Sequence, residues 1–215
     1  MKKIVLGAAA LLLSFISYAQ PTAGNLNVTG ILAFTTSGGE TSAGGVTADN
    51  AKTMNFTFAP SIGYNLSDNM TAGLIFGFGS NKTTQPDNGN VSGAETKSSF
   101  FGAGVFLKYH VQMIEKLTFS PQVITGFISN KTENTNGGTT VTSPEVGTFA
   151  LGIMPGLTYA ASENWMFDFT AGFLGFTTSN SKTPGNPGTE VKTNNFGLML
   201  SGVAMNIGVT YSFGI

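Results

Sequence analysis

Residues 54–64 read Met-Asn-Phe-Thr-Phe-Ala-Pro-Ser-Ile-Gly-Tyr, with every even position apolar or proline and every odd one small or polar. A period of two is the mark of a strand with two unlike faces, because successive side chains leave a pleated strand on opposite sides. The same alternation runs through Leu26–Phe34, Met70–Phe78, Phe101–Val111, Leu117–Phe127, Phe149–Tyr159, Trp165–Phe173 and Val203–Ile215. These eight stretches, most of 9 to 13 residues, have the length a tilted strand needs to cross the hydrocarbon of a bilayer.

The two faces differ in bulk. One carries most of the aromatic rings, among them Phe34, Phe56, Phe58, Phe76, Phe78, Phe101, Phe127, Phe169 and Phe173. The other carries Thr57, Ser61, Gly63, Gly73, Gly77, Gly102, Gly104, Gly126, Gly152 and Gly172. A closed sheet of eight strands has an interior only wide enough for modest side chains, so the rings are expected outside and the small residues inside. The inner-face glycines are read as letting a small barrel close and twist; the alternative is a slim channel lined by Ile75, Phe106, Ile124, Met154 and Leu174.

Charge decides what the outside meets. Beyond the N-terminal segment, only Lys108 and Asp168 lie well inside a predicted strand, with Lys52 at a strand edge. The other charged residues are expected in turns and loops. A water-facing sheet would carry Lys and Glu along its solvent side, so the bulky face is expected to meet lipid. The alternation changes phase once, between Phe196–Gly202 and Val203–Ile215, which predicts a β-bulge near Gly202.

Connections alternate in length. Tight links are expected at Asn65–Asn69, Gln112–Lys116 and Ala160–Asn164, and long polar loops at Ser37–Ala51, Ser80–Ser98, Ser129–Glu145 and Thr178–Thr193. Short turns on the periplasmic side and long loops outside are the pattern of transmembrane barrels. Tyr64, Tyr109, Tyr159 and Tyr211 recur at spacings of 45, 50 and 52 residues, each just before a tight turn or the chain end, and Trp165 follows one such turn. An amphipathic ring belongs where hydrocarbon meets water, so these five are expected to form an aromatic belt at the periplasmic boundary.

The N-terminus has the form of a cleaved export signal over residues 1–19. Lys2 and Lys3 are followed by the apolar run Ile4–Ile16 and by Ser17-Tyr18-Ala19. That leaves residues 20–215 as one barrel domain. Cysteine is absent, so no disulfide or thiolate metal site is expected. A net charge of −1 without any arginine argues against nucleic acid as a partner.

With its leader, alternating strands, long loops and terminal Tyr211-Ser-Phe213-Gly-Ile215 strand, the chain resembles the small outer-membrane β-barrel domain family, of the OmpA/OmpX or OmpW type. The likeness rests on pattern over the whole exported chain, with no catalytic motif. The final Phe213-Gly214-Ile215 departs from members that end on phenylalanine itself. The resemblance implies an all-β, eight-stranded antiparallel up-and-down transmembrane barrel in the cell outer membrane. It further implies insertion by the barrel-assembly machinery and roles in envelope integrity, adhesion or passage of small solutes. The partners expected are outer-membrane lipid and an unidentified external ligand. A monomer without cofactor or metal is expected.

Three sets of residues invite functional readings. Lys108 and Asp168 share the inward face near the periplasmic end and are expected to pair, because an isolated charge there is costly. Such a pair is either a plug that fills and stiffens the barrel or an ion-selective gate. His110, the only histidine, shares their face. It is read as an ordinary rim residue, the alternative being a lipid-active enzyme. Pro60, Pro121 and Pro155 sit inside predicted strands on the outward face. A proline removes a ladder donor, so they either mark a bend at the lower rim or loosen the wall into a side opening. The favoured function is a non-enzymatic structural or surface-interaction barrel; the alternative is a narrow conduit for small solutes or hydrophobic ligands.

Overall fold

The computed structural model describes residues 21–43, 45–86, 93–182, 190–199 and 205–214. The expected leader and the expected bulge near Gly202 lie outside the described residues. Regular structure within them is entirely strand. In chain order these are β1 (Leu26–Ser37), β2 (Glu40–Ala43), β3 (Val46–Asp49), β4 (Lys52–Ser67), β5 (Met70–Thr84), β6 (Glu95–Tyr109), β7 (Val111–Ile114) and β8 (Leu117–Phe119). There follow β9 (Gln122–Asn136), β10 (Thr139–Thr142), β11 (Glu145–Met154), β12 (Gly156–Ala160), β13 (Trp165–Ala171), β14 (Phe173–Lys182), β15 (Glu190–Met199) and β16 (Met205–Phe213).

All pairings are antiparallel. Short breaks at His110, at Ser120-Pro121, at Pro155 and at Gly172 interrupt the strands without ending the ladder. Across them Tyr109 N donates to Pro121 O at 2.9 Å, Ser120 N to Gly156 O at 2.8 Å and Ala171 N to Pro155 O at 3.1 Å. At the short-turn end the pairings run in a circuit. They pass from β1 to β4, β5 and β6, through His110 into β7, then to β8, β12, β13 and β16, and back to β1. Toward the long hairpins the described pairings run from β1 through β4, β5, β6, β9, β11 and β14 to β15.

The faces partition as the alternation implies. Leu32, Phe34, Phe101, Phe127 and Val105 are exposed, while Gly63, Gly102, Gly152, Thr158 and Thr210 are buried. Among the described residues the only buried hydrophobics are Ala160 and Met166. A protein in water hides its large apolar side chains; this one shows them, so its outer wall is built for lipid.

Two sequence expectations need correction. The first concerns β14. Gly172 has φ of +76°, and the register across it gains one residue, so Ala171 and Gly172 both stand opposite Pro155. That bulge reverses the faces beyond it. Leu174 and Phe176 therefore point outward, and Phe173 turns into the interior. The second concerns the loops. Most of the described part of each long connection is strand: β4 pairs with β5 out to Lys52–Thr84, β5 with β6 out to Thr84–Glu95, and β9 turns into β10. Lys82, Glu95, Lys97, Lys131 and Glu133 thus lie in strands rather than in loops. These extensions are rich in threonine, which suits a pleated ladder, and they carry charge because they stand beyond the apolar wall.

Inward rings are accommodated by glycine. Gly63 faces Gly73 across β4 and β5, and Gly152 faces Gly175 across β11 and β14. A Cβ on Gly73 would fall 2.7 Å from the Phe106 ring, and one on Gly175 would fall 2.7 Å from the Phe173 ring. Each ring lies over a pair of bare backbones, which is how a narrow interior holds it.

Candidate functional site

Polar side chains converge inside the short-turn end. Asp168, on β13, is 8 % exposed and takes three donors. Lys108 Nζ, from β6, donates to Oδ1 at 3.0 Å, Thr158 Oγ1 donates to the same oxygen at 2.6 Å, and Thr210 Oγ1 donates to Oδ2. Three donors, one of them charged, satisfy the carboxylate as an anion.

From this pair the bonds extend round the interior. Ser120 Oγ donates to Thr158 Oγ1 at 2.9 Å and lies 3.4 Å from His110 Nδ1. On the other side of the ring, His110 Nε2 is 2.9 Å from Thr71 Oγ1. Thr71 donates to Asn65 Oδ1 at 2.7 Å, and Asn27 Nδ2 donates to that oxygen at 2.6 Å. Asn65 is fully buried and its Nδ2 donates to Thr22 O at 3.0 Å. The Thr29 and Thr210 hydroxyls are 2.6 Å apart, and since the Thr210 proton goes to Asp168, Thr29 donates. The path therefore begins at Asn27 and ends at Thr29, both on β1. On the way it uses β4, β5, the β6–β7 and β8–β9 junctions, β12, β13 and β16. Between these residues there remains a cavity of about 20 Å³, the space of roughly one water molecule.

Lys108, Asp168 and His110, singled out in the sequence, thus lie in one cluster. Its hydroxyl and amide members, Asn27, Thr29, Asn65, Thr71, Ser120, Thr158 and Thr210, escaped that reading. The signal that would have found them is register: Thr71 stands opposite Lys108, and Thr158 opposite Asp168. Nor does the cluster form a nucleophilic relay. Ser120 is buried, its proton is committed to Thr158, and Asp168 is bonded to Lys108 and two threonines rather than to His110.

The five aromatic residues gather at the same end. Tyr64, Tyr109 and Trp165 are exposed on the outer wall, Tyr159 stands opposite Phe167, and Trp165 packs edge-on against Tyr211 with ring centroids 4.8 Å apart. The prolines coincide with the ladder's irregularities. Pro121 and Pro155 fall opposite each other where β8–β9 meets β11–β12. Each carbonyl accepts a bond from the strand on its far side, from Tyr109 and Ala171, so the missing donors point away from their shared seam. Pro60 keeps its register with Gly30 of β1 and lies at the gap in the pairing of β4 with β5, between Phe58 and Ser61.

An antiparallel wall with lipid-compatible rings outside and a hydrogen-bonded polar interior defines a transmembrane β-barrel protein. The chain belongs to the family of the outer membrane protein beta-barrel domain, whose family model matches residues 7–203, and it resides in the outer membrane. Its fold is similar to that of Ail, the attachment invasion locus protein of Yersinia pestis (14% identity, 89% of this chain and 100% of that one, TM-score 0.42). It is also similar to the outer membrane protein OprG of Pseudomonas aeruginosa (13% identity, 93% and 100%, TM-score 0.48). A third likeness is to Neisserial surface protein A (18% identity, 88% and 96%, TM-score 0.37). No curated protein matches the sequence.

Proposed function

We propose that the protein is a non-enzymatic, monomeric barrel of eight spans whose role in the outer membrane is structural or one of surface interaction. The supporting observation is the path of polar contacts that starts and ends on β1 and includes the Lys108–Asp168 ion pair. A continuous polar network across a narrow interior acts as a plug: it ties the wall together and leaves no open passage for ions. The leader is removed after export, and the barrel-assembly machinery inserts the rest. Short turns and the Tyr64, Tyr109, Tyr159, Trp165 and Tyr211 belt then lie toward the periplasm. The β2–β3 and β9–β10 hairpins stand outside, where their threonine and asparagine side chains are available to a ligand.

Planar-bilayer recordings of refolded protein test this reading. Its folding is first verified by a gel mobility that changes on boiling. The unmodified protein is expected to give no stable conductance steps. Reproducible steps would replace the plugged barrel with the alternative, a narrow conduit for small solutes.

A further inference from the structure

On the outer wall two neighbouring strands carry the same succession of side chains. Phe78, Ser80 and Lys82 of β5 stand directly opposite Phe101, Ser99 and Lys97 of β6. Residues two apart share a face, and both rings and both lysines are exposed, so all six look outward. The Phe78 and Phe101 rings pack together, with centroids 5.3 Å apart. A groove of about 200 Å³ opens beside these columns, lined among others by Phe34, Met54, Phe56, Ser80, Lys82 and Lys97.

Height sorts these rows by environment. From Tyr109 of the aromatic belt to Ser99, β6 runs ten residues, about 34 Å at strand spacing. At a strand tilt of ~40–45° that is a rise of about 25 Å, the height of the apolar band of such barrels. The ring pair therefore lies in hydrocarbon, the hydroxyl pair at its edge and the lysine pair just beyond. Neither serine hydroxyl has a hydrogen-bond partner among the described residues, and a donor facing lipid calls for an acceptor. The two lysines, directly opposite each other, repel. Lys82 pairs with Glu95 at 2.5 Å. Glu133, opposite Lys97, pairs with Lys131 at 2.8 Å, so Lys97 is left without an ion pair among the described residues. Across β5, β6 and β9 the outward charges are thus Lys82, Lys97 and Lys131 against Glu95 and Glu133, a positive surplus.

We propose that Ser80, Ser99, Lys82 and Lys97 bind the phosphomonoester head group of a membrane lipid in the leaflet on the hairpin side, its acyl chains lying against Phe56, Phe78 and Phe101. Two hydroxyl donors and two ammonium groups around one notch match a head group that carries up to two negative charges and several acceptor oxygens. Such a group gives the serines their acceptor and offsets the repulsion between the lysines. The Lys82–Glu95 pair is exposed and therefore weak, so a phosphate competes with it readily. A zwitterionic head group brings no net charge and a phosphodiester only one, so the phosphomonoester is selected by charge. The site lies on the outer wall, and it stands whether or not the interior conducts.

The test uses the full exported chain refolded in phosphatidylcholine nanodiscs at about pH 8, where the phosphomonoester is mostly a dianion. Dioleoyl phosphatidic acid is added in rising fractions, and backbone amide shifts are read by NMR. Saturable shifts are expected at Ser80, Lys82, Lys97 and Ser99, and none at Lys192 on β15. Phosphatidylglycerol, a phosphodiester, should bind about tenfold more weakly. Inorganic phosphate added to phosphatidylcholine discs should give no saturable shift. Lys97→Gln breaks no ion pair and should weaken phosphatidic acid about tenfold, and Ser80→Ala combined with Ser99→Ala should weaken it several-fold. Each variant is verified as folded by its heat-shifted gel mobility. Equal shifts at Lys192, or unchanged binding in whichever of these variants folds, would overturn the site. Equal binding of phosphatidylglycerol would overturn the phosphomonoester assignment, and saturation by inorganic phosphate would overturn the lipid as its source.

Discussion

The two ends of the interior are bonded in different ways. At the short-turn end, polar groups from β1 to β16 are joined into one path, and its members other than Thr29 and Lys108, which are half-buried, are buried. At the long-hairpin end the bonds come in short runs, across neighbouring strands as for Ser98 with Thr132 and for Thr35 with Asn55 and Asn81, or along one strand as for Lys131 with Glu133, and many of these groups are exposed. A shared network loses several contacts when one member goes; an isolated exposed pair loses one, which water replaces. Substitution at the short-turn end is therefore expected to cost more than substitution at the hairpin end.

Removing the central carboxylate should break this contrast most sharply. Asp168→Ala leaves the Lys108 ammonium buried without its partner, and a cost of about 3–5 kcal/mol is expected. Urea unfolding in vesicles, followed by the fluorescence of Trp165, reads it directly. A shift no larger than that of an exposed pair would remove the plug's claim to stabilise the barrel. Replacing both charges by leucine is expected to recover most of the loss, because the unpaired charge is what costs.

Between the two ends the outer wall should be the sensitive surface. Leu74 is exposed, pairs with Val105 and lies at mid-height, so Leu74→Lys is expected to cost ~2–4 kcal/mol in a bilayer. Equal tolerance of lysine at Leu74 and at an inward neighbour would contradict the assignment of faces. A smaller effect is expected inside the network. Ser120→Ala removes the donor to Thr158 and should cost about 1 kcal/mol, with the gel shift retained. Least of all, Lys131→Ala at the hairpin end should leave the unfolding midpoint unchanged. A loss comparable to that of Ser120→Ala would mean that the hairpin end is not energetically separate.

Much of this was legible in the chain itself, for a physical reason. A period of two states which residues share a face, and it placed Lys108, His110 and Asp168 together before any distance was known. What it does not state is a change of phase where both phases are oily. In Phe173-Leu174-Gly175-Phe176 each face carries an apolar residue, so the bulge at Gly172 left no trace in the pattern. Threonine and asparagine misled in a different way. They read as loop by polarity, yet Thr83, Thr96 and Thr132 continue the ladder, because a strand beyond the apolar wall has no need of alternation. The hydroxyls of the plug were hidden by their abundance: Thr71 and Thr158 resemble every other threonine until register places them beside a charge.

Thr29 and Thr210 join the first strand of the barrel to the last. Asp168 has its full set of donors only with the C-terminal strand docked between β13 and β1. Assembly thus carries its own checkpoint: a chain truncated before β16 loses not one hydrogen bond but the clasp that shuts the cylinder.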